Sequence, residues 1–342
     1  MLYHIQMLSS EQIHTFLQDG ILVVPRVINI DRVQQIRRQF HQYLHDKGCD
    51  IEHLDKTAQA LTSLSSTGGS GGVLDVFYED WKLSLNQDPT IFAIMSSIWE
   101  NSYANSQQTH LFNHPYGSFD PTKGLIAIDR VCFRVPESVS ESFHVKKGKK
   151  NQNLQRSLTP HLDCCPHDTY NIKSESIKRW KPIQAFIALT DNLEPNTGGF
   201  EAVPGFHRQF QEWAMKRPPN TGSTVAPCVG DFTPIRPVED RDVIEQFRHI
   251  PCRAGDLVIW DYRIPHANAR FNLAPTPREV IYLGFLPYVD INFQFAREQL
   301  RRMEAGETPV GQWGGDALGH ACSFKFSDLG RKLMLLDNWD MN

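Results

Sequence analysis

Asp256-Leu257-Val258-Ile259-Trp260-Asp261-Tyr262-Arg263-Ile264-Pro265-His266 reads as a strand, a bend and the head of a second strand. The apolar run 257–260 between two aspartates suits a buried strand. Pro265 closes the bend and delivers His266 onto the next strand, a way to aim a histidine into a barrel. Further strands are expected at 183–190, 199–203, 265–270 and 279–286, separated by turn clusters such as Glu194-Pro195-Asn196-Thr197-Gly198-Gly199 and Arg253-Ala254-Gly255-Asp256. Many short strands without alternating helices predict a mainly β chain with flanking helices. Its core is expected to be an antiparallel double sheet: a jelly roll, cupin-like, also described as a double-stranded β-helix.

Away from this core the pattern changes. Ser9 or Ser10 caps a short helix that Gly20 closes; a strand at 21–25 and a helix over 31–45 follow. Thr67-Gly68-Gly69-Ser70-Gly71-Gly72 lacks the Gly-Lys-Ser/Thr ending of a phosphate-cradling loop and reads as a flexible linker. Helical patterns return at 77–99, 293–305 and 325–336. Between 125 and 134 the chain alternates, which puts Ile126, Ile128, Arg130, Cys132 and Arg134 on one strand face. One domain, 1–342, is expected: a mostly helical part at 1–123, the jelly-roll core at 124–290 and a helical extension at 291–342.

Composition narrows the class. With 342 residues, 40% hydrophobic and 22% charged, the chain has the make-up of an ordinary globular protein. A net charge of −4 gives no global pull toward nucleic acid or anionic membrane. No apolar run approaches bilayer length, and Met1-Leu2-Tyr3-His4-Ile5-Gln6 has neither the basic start nor the apolar run of a signal peptide. Seven cysteines, an odd number without C-x-x-C spacing, argue against a disulfide framework and for a reducing compartment, so a cytoplasmic protein is expected.

The chemistry-bearing stretch is Thr159-Pro160-His161-Leu162-Asp163. Pro160 favours extended backbone before it, and on a strand residues i and i+2 point the same way. His161 and Asp163 then present two ligands together, and His266 from another strand supplies a third. Two histidines and a carboxylate on one face, with the opposite positions open, are the ligand set of non-haem Fe(II) oxygenases. The chain carries a decoy, His53-Leu54-Asp55, in a stretch with helical spacing where i and i+2 diverge. Arg278 opens the apolar strand after His266. A guanidinium at the inner mouth of a barrel requires an anion, and a dicarboxylate pairs with it in bidentate fashion.

These elements in order resemble the phytanoyl-CoA dioxygenase family of Fe(II)/2-oxoglutarate oxygenases. The resemblance rests on 12–24, 160–163, Ala188-Leu189-Thr190-Asp191-Asn192, the stretch 198–207, Ala254-Gly255-Asp256-Leu257, His266 and Arg278, and spans roughly 9–290. It implies that His161, Asp163 and His266 bind iron and that Arg278 holds the C5 carboxylate of 2-oxoglutarate, with O₂ as the other co-substrate. It also implies that Asp163, which halogenating relatives replace with a small residue, favours hydroxylation or a related oxidation of an unactivated carbon. Pro204-Gly205-Phe206-His207 matches a family turn and is expected to be structural.

Around this centre, Gln184 and Thr190 are candidates to assist Arg278, with Arg270 as its alternative. Arg130 and Arg134 are candidates for an anionic substrate group, and His167 for the substrate mouth. Cys164 and Cys165 are expected to be packing residues. The lysines of 146–150 are expected to form a solvated loop rather than a phosphate-binding lid. The leading expectation is a dioxygenase acting on a free small molecule, carboxylated or amine-bearing, with succinate and CO₂ released. A zinc hydrolase or cupin-like metalloprotein with the same ligands is the alternative, and Arg278 separates the two, because a hydrolase needs no dicarboxylate clamp. A binding protein on a degenerate scaffold is a third possibility.

Overall fold

The computed structural model describes residues 8–104, 110–147, 150–166, 178–216, 232–312 and 322–340. Its strands, in chain order, are β1 (Ile21–Val24), β2 (Val73–Leu74), β3 (Gly124–Ala127), β4 (Val131–Arg134), β5 (His144–Lys147), β6 (Lys150–Asn153), β7 (His161–Leu162), β8 (Ile183–Ala188), β9 (Phe200–Ala202), β10 (Thr233–Pro234), β11 (Arg248–His249), β12 (Leu257–Asp261), β13 (His266–Asn268) and β14 (Arg278–Pro287). Two antiparallel sheets carry the site. The larger runs β1-β12-β8-β14-β4-β2, with β3 also on β14; the smaller runs β10-β7-β13-β9-β11. They meet through Phe186, Phe200 and Trp260, with ring centroids 4.8–5.9 Å apart.

The expected single alternation over 125–134 does not hold. Arg278 to Ile281 of β14 pair with β4, and Gly284 to Pro287 pair with β3. Between these blocks β14 advances from 281 to 284 while the partner chain spans 127 to 131, one residue more. That is a bulge, and one extra residue inverts the facing of everything beyond it. Cys132 and Arg134 therefore share the inner face with Arg278, while Ile126 lies on the other. Ile128 leaves the ladder and donates its N–H to Gln299 Oε1 at 2.7 Å.

Helices cover the outer face. Ser9 and Gln12 form a capping box for the helix Ser10–Asp19, and Gly20, at φ 65°, turns the chain into β1. The helix Ile30–Asp46 buries Val33, Ile36, Phe40 and Leu44. Its Arg37 and His41 both bond the buried Glu279 carboxylate, at 2.7 and 3.0 Å. The helix Asp290–Ala305 instead packs Phe295 and Ala296 against Leu125, Ala127 and Leu286, which by the β3–β14 register lie on the same side of the sheet as Arg278, at the far end of β14. β1 and β2 come from the first 123 residues and complete the larger sheet, so the N-terminal part is woven into the core.

The glycine run 67–72 is not a linker. Ser70, Gly71 and Gly72 are buried, and a Cβ on Gly72 would lie 2.6 Å from the Cα of Arg134. Glycine is required there because two backbones touch, a contact between residues distant in sequence. The lysine-rich stretch is also more ordered than a loop: β5 pairs with β6 in a hairpin, Lys146 opposite Asn151. Among the described residues no helix is long and apolar enough to cross a membrane.

Candidate active site

β7 and β13 are neighbours, and His161 lies directly opposite His266. Cross-strand partners point to the same side, so both rings reach the inner face, 4.4 Å apart between centroids. Asp163 follows β7 and turns its carboxylate between them: Oδ1 is 3.4 Å from His161 Nε2 and Oδ2 is 3.4 Å from His266 Nε2. The three ligand atoms lie within 4.8 Å of one another, and this is the one such cluster found among the described residues.

The ring orientations are set by the backbone. His161 donates Nδ1–H to the Thr159 carbonyl at 2.8 Å, and His266 donates Nδ1–H to the Ile264 carbonyl at 3.0 Å. Each Nε2 is thereby left as a lone pair facing Asp163, the tautomer a metal ligand requires. Burial, then the adjacent His161, push His266 below its usual range. Burial alone would raise the Asp163 carboxyl, but the two histidines outweigh it and hold it well below the carboxylate range. Two neutral imidazoles and one carboxylate fit Fe(II), and the carboxylate keeps 35% of its side chain exposed, so one side stays open.

Arg278 lies on the inner face of β14, 2% exposed. Its Nη1 donates to Asn268 Oδ1 at 3.0 Å, and its guanidinium stacks 5.3 Å over the Phe186 ring. Nε and Nη2 are buried without a partner. A charged fork with two unmet donors and, among the described residues, no carboxylate paired to it fits a carboxylate ligand. Asn268 stands two residues after His266 on β13, roughly 6–7 Å along the strand. The metal cluster and the guanidinium are thus separated by about the reach of a short dicarboxylate.

The remaining candidates fall in different places. Gln184 is on the inner face of β8, paired with Trp260 and Gly284, and its Nε2 is buried without a partner. Thr190 lies beyond the end of β8, and its hydroxyl accepts the Glu279 N–H at 3.0 Å. Arg130 pairs with Asp75 at 2.6 Å, beside the bulge. Arg134 is buried on the inner face, but its Nη1 and Nη2 donate to the carbonyls of Arg156 and Arg270, each at 3.0 Å. Arg270 stacks on Phe271. His167 lies outside the described residues. His53 bonds Asp50 at 2.8 Å on the surface, away from the cluster. His207 is buried, its Nε2–H on the Leu17 carbonyl at 3.2 Å. Cys164 is a buried thiol, and Cys165 is buried too but disulfide-bonded, a pairing the sequence reading did not expect. Spacing cannot show a pairing made by tertiary approach.

Sequence reasoning missed three residues here. Asn268 orients Arg278, and the period-two spacing from His266 was the signal for it. Gly71 accepts the Asn268 amide N–H on its carbonyl at 2.9 Å, and so turns Oδ1 toward the guanidinium. Phe232 stacks on His161 at 4.8 Å.

Comparison with known proteins agrees with this architecture. A Dictyostelium discoideum protein whose name places it provisionally among phytanoyl-CoA dioxygenases is 23% identical over 339 residues, covering 89% of this chain and 85% of its own. The GlcNAc-inducible gene 2 protein of Candida albicans shares the fold with a TM-score of 0.70 at 14% identity, over 99% of this chain and 79% of that one. A hypothetical protein of Escherichia coli, JW0805, does so with a TM-score of 0.67 at 14% identity, over 96% and 82%. The model of the phytanoyl-CoA dioxygenase (PhyH) family matches residues 16–280. The chain belongs to the phytanoyl-CoA dioxygenase family, enzymes that use Fe(II), 2-oxoglutarate and O₂.

Proposed function

We propose that His161, Asp163 and His266 hold the Fe(II), that Arg278 holds the distal carboxylate of 2-oxoglutarate, and that the enzyme hydroxylates a carbon of a free small molecule. The observation that carries this reading is the buried Arg278 fork. Its two unpartnered nitrogens sit one strand pleat from His266 with no carboxylate of the described residues to neutralise them. A zinc hydrolase has no use for that charge. Bound iron with 2-oxoglutarate and O₂ supplies the oxidising chemistry, with succinate and CO₂ as by-products. The protein's own part is positional. Thr159 and Ile264 carbonyls fix the imidazoles, Asp163 sets the third corner, and Asn268 with Phe186 holds the guanidinium in plane.

The two antiparallel sheets, facing each other around this cluster, support a double-stranded β-helix core flanked by helices within a single domain. The β5–β6 pair that carries Lys146, Lys147 and Lys150 forms a sheet of its own, separate from the two sheets that carry the cluster, which supports a free carboxylated or amine-bearing substrate over a CoA thioester. The test is succinate formation with Fe(II) and 2-oxoglutarate against a panel of small carboxylic acids and amines, run beside their CoA thioesters. Absence of 2-oxoglutarate binding and of succinate, in protein loaded with Fe(II), would sink the reading. Turnover confined to the thioesters would exchange the substrate class.

A further inference from the structure

Arg278 is not alone in carrying buried nitrogens without an acceptor. Gln184 Nε2 and Trp260 Nε1 are also buried without an acceptor. The two residues are direct cross-strand neighbours on β8 and β12, 4% and 3% exposed. They share the inner face with Phe186, two residues from Gln184 along the strand. Trp260 packs its ring 5.2 Å from His266 and 4.8 Å from Phe200. The pair therefore stands level with the metal cluster. The Arg278 head, stacked on Phe186, lies about one pleat further along, roughly 6–7 Å. Besides the Nε of Arg134, whose guanidinium already serves two carbonyls, the described inner face presents four unmet N–H donors: two at the Arg278 end and two at the His266 end. Leaving them all unmet would cost ~1–3 kcal/mol each.

We propose that Gln184 and Trp260 bind the 2-oxo-acid end of the co-substrate, donating Nε2–H and Nε1–H to its C1 carboxylate while Arg278 holds the C5 carboxylate. One dianion with oxygens at both ends then satisfies all four donors. The proposal rests on the co-substrate reading of Arg278, and adds a second recognition point that fixes which end of the ligand faces the metal.

The experiment measures anaerobic binding of 2-oxoglutarate and of pyruvate to the Fe(II) protein, by calorimetry and by the charge-transfer band of the 2-oxo-acid chelate. Pyruvate carries the 2-oxo-acid end without the distal carboxylate. Gln184→Leu and Trp260→Phe should each weaken both ligands by ~10-fold, the loss of a hydrogen bond to a charged group. Arg278→Lys should weaken 2-oxoglutarate and leave pyruvate unchanged. Gln184→Glu keeps the shape and replaces donors by a negative acceptor. It should weaken both ligands at least as much as Gln184→Leu, and it decides the matter if Trp260→Phe fails to fold. Wild-type affinity in the Gln184 variants overturns the proposal. Wild-type protein that binds no 2-oxoglutarate overturns the co-substrate reading itself, and this proposal with it.

Discussion

His161 and His266 face each other directly across β7 and β13, and each ring gives its Nδ1–H to the carbonyl two residues before it. The same local device, used twice, leaves two Nε2 lone pairs converging on Asp163. A three-ligand cluster able to hold a metal follows from strand pairing plus a backbone hydrogen bond.

Replacing any one of the three with Ala should therefore remove Fe(II) binding, read by calorimetry, and abolish succinate formation. His53→Ala should leave both unchanged, because that ring bonds Asp50 on the surface. Metal binding by Asp163→Ala at wild-type strength would refute the assignment.

Arg278→Lys should raise the Kd for 2-oxoglutarate by at least ~10-fold. A point ammonium cannot reproduce the fork that Asn268 and Phe186 hold in plane. Asn268→Ala should give a smaller loss in the same direction, since it removes the orienting acceptor and keeps the charge. If Arg270→Ala weakened binding and Arg278→Lys did not, the two arginines would exchange roles.

Lys82 is fully buried, its Nζ has no hydrogen-bond partner, and burial pushes its pKa down to about 8 despite the pull of Asp129. In the unfolded chain the amine keeps its proton to ~10.4. Between these values the unfolded state binds more protons, so Lys82 makes stability rise with pH across that window. Lys82→Met should stabilise the fold at pH 7 by on the order of 1–3 kcal/mol. That advantage should shrink above about pH 8. Melting curves of both proteins at pH 7 and in the alkaline window test it, and an advantage that grows with pH would contradict it.

Gly72→Ala should destabilise the protein by ~1–3 kcal/mol or more. Gly72 sits at φ 77°, and the added methyl would meet the Arg134 backbone at 2.6 Å. Urea denaturation reads the loss directly. Because the same loop holds Asn268 through Gly71, 2-oxoglutarate affinity should fall along with stability. A neutral substitution would return this stretch to the status of a linker.

Local order was legible in the sequence wherever one residue and its near neighbours decide the outcome. The serine cap of the first helix, the Gly20 stop, the apolar strand at 257–261 and the extended His161 with Asp163 two residues on are all of that kind. Propensity and side-chain periodicity act over a few residues, so they can be read without the rest of the chain. Only the tertiary structure decided what depends on partners far apart in sequence. It inverted the face of Ile126 through a one-residue bulge against β14, and it tied Arg130 to Asp75 and Arg134 to two carbonyls. It also packed glycines 71 and 72 against β4 and β13, and left nitrogens of Arg278, Gln184, Trp260 and Arg134 buried without acceptors among the described residues. Whether a buried polar group is satisfied depends on what the whole fold brings within 3 Å of it, and no local pattern of residues encodes that.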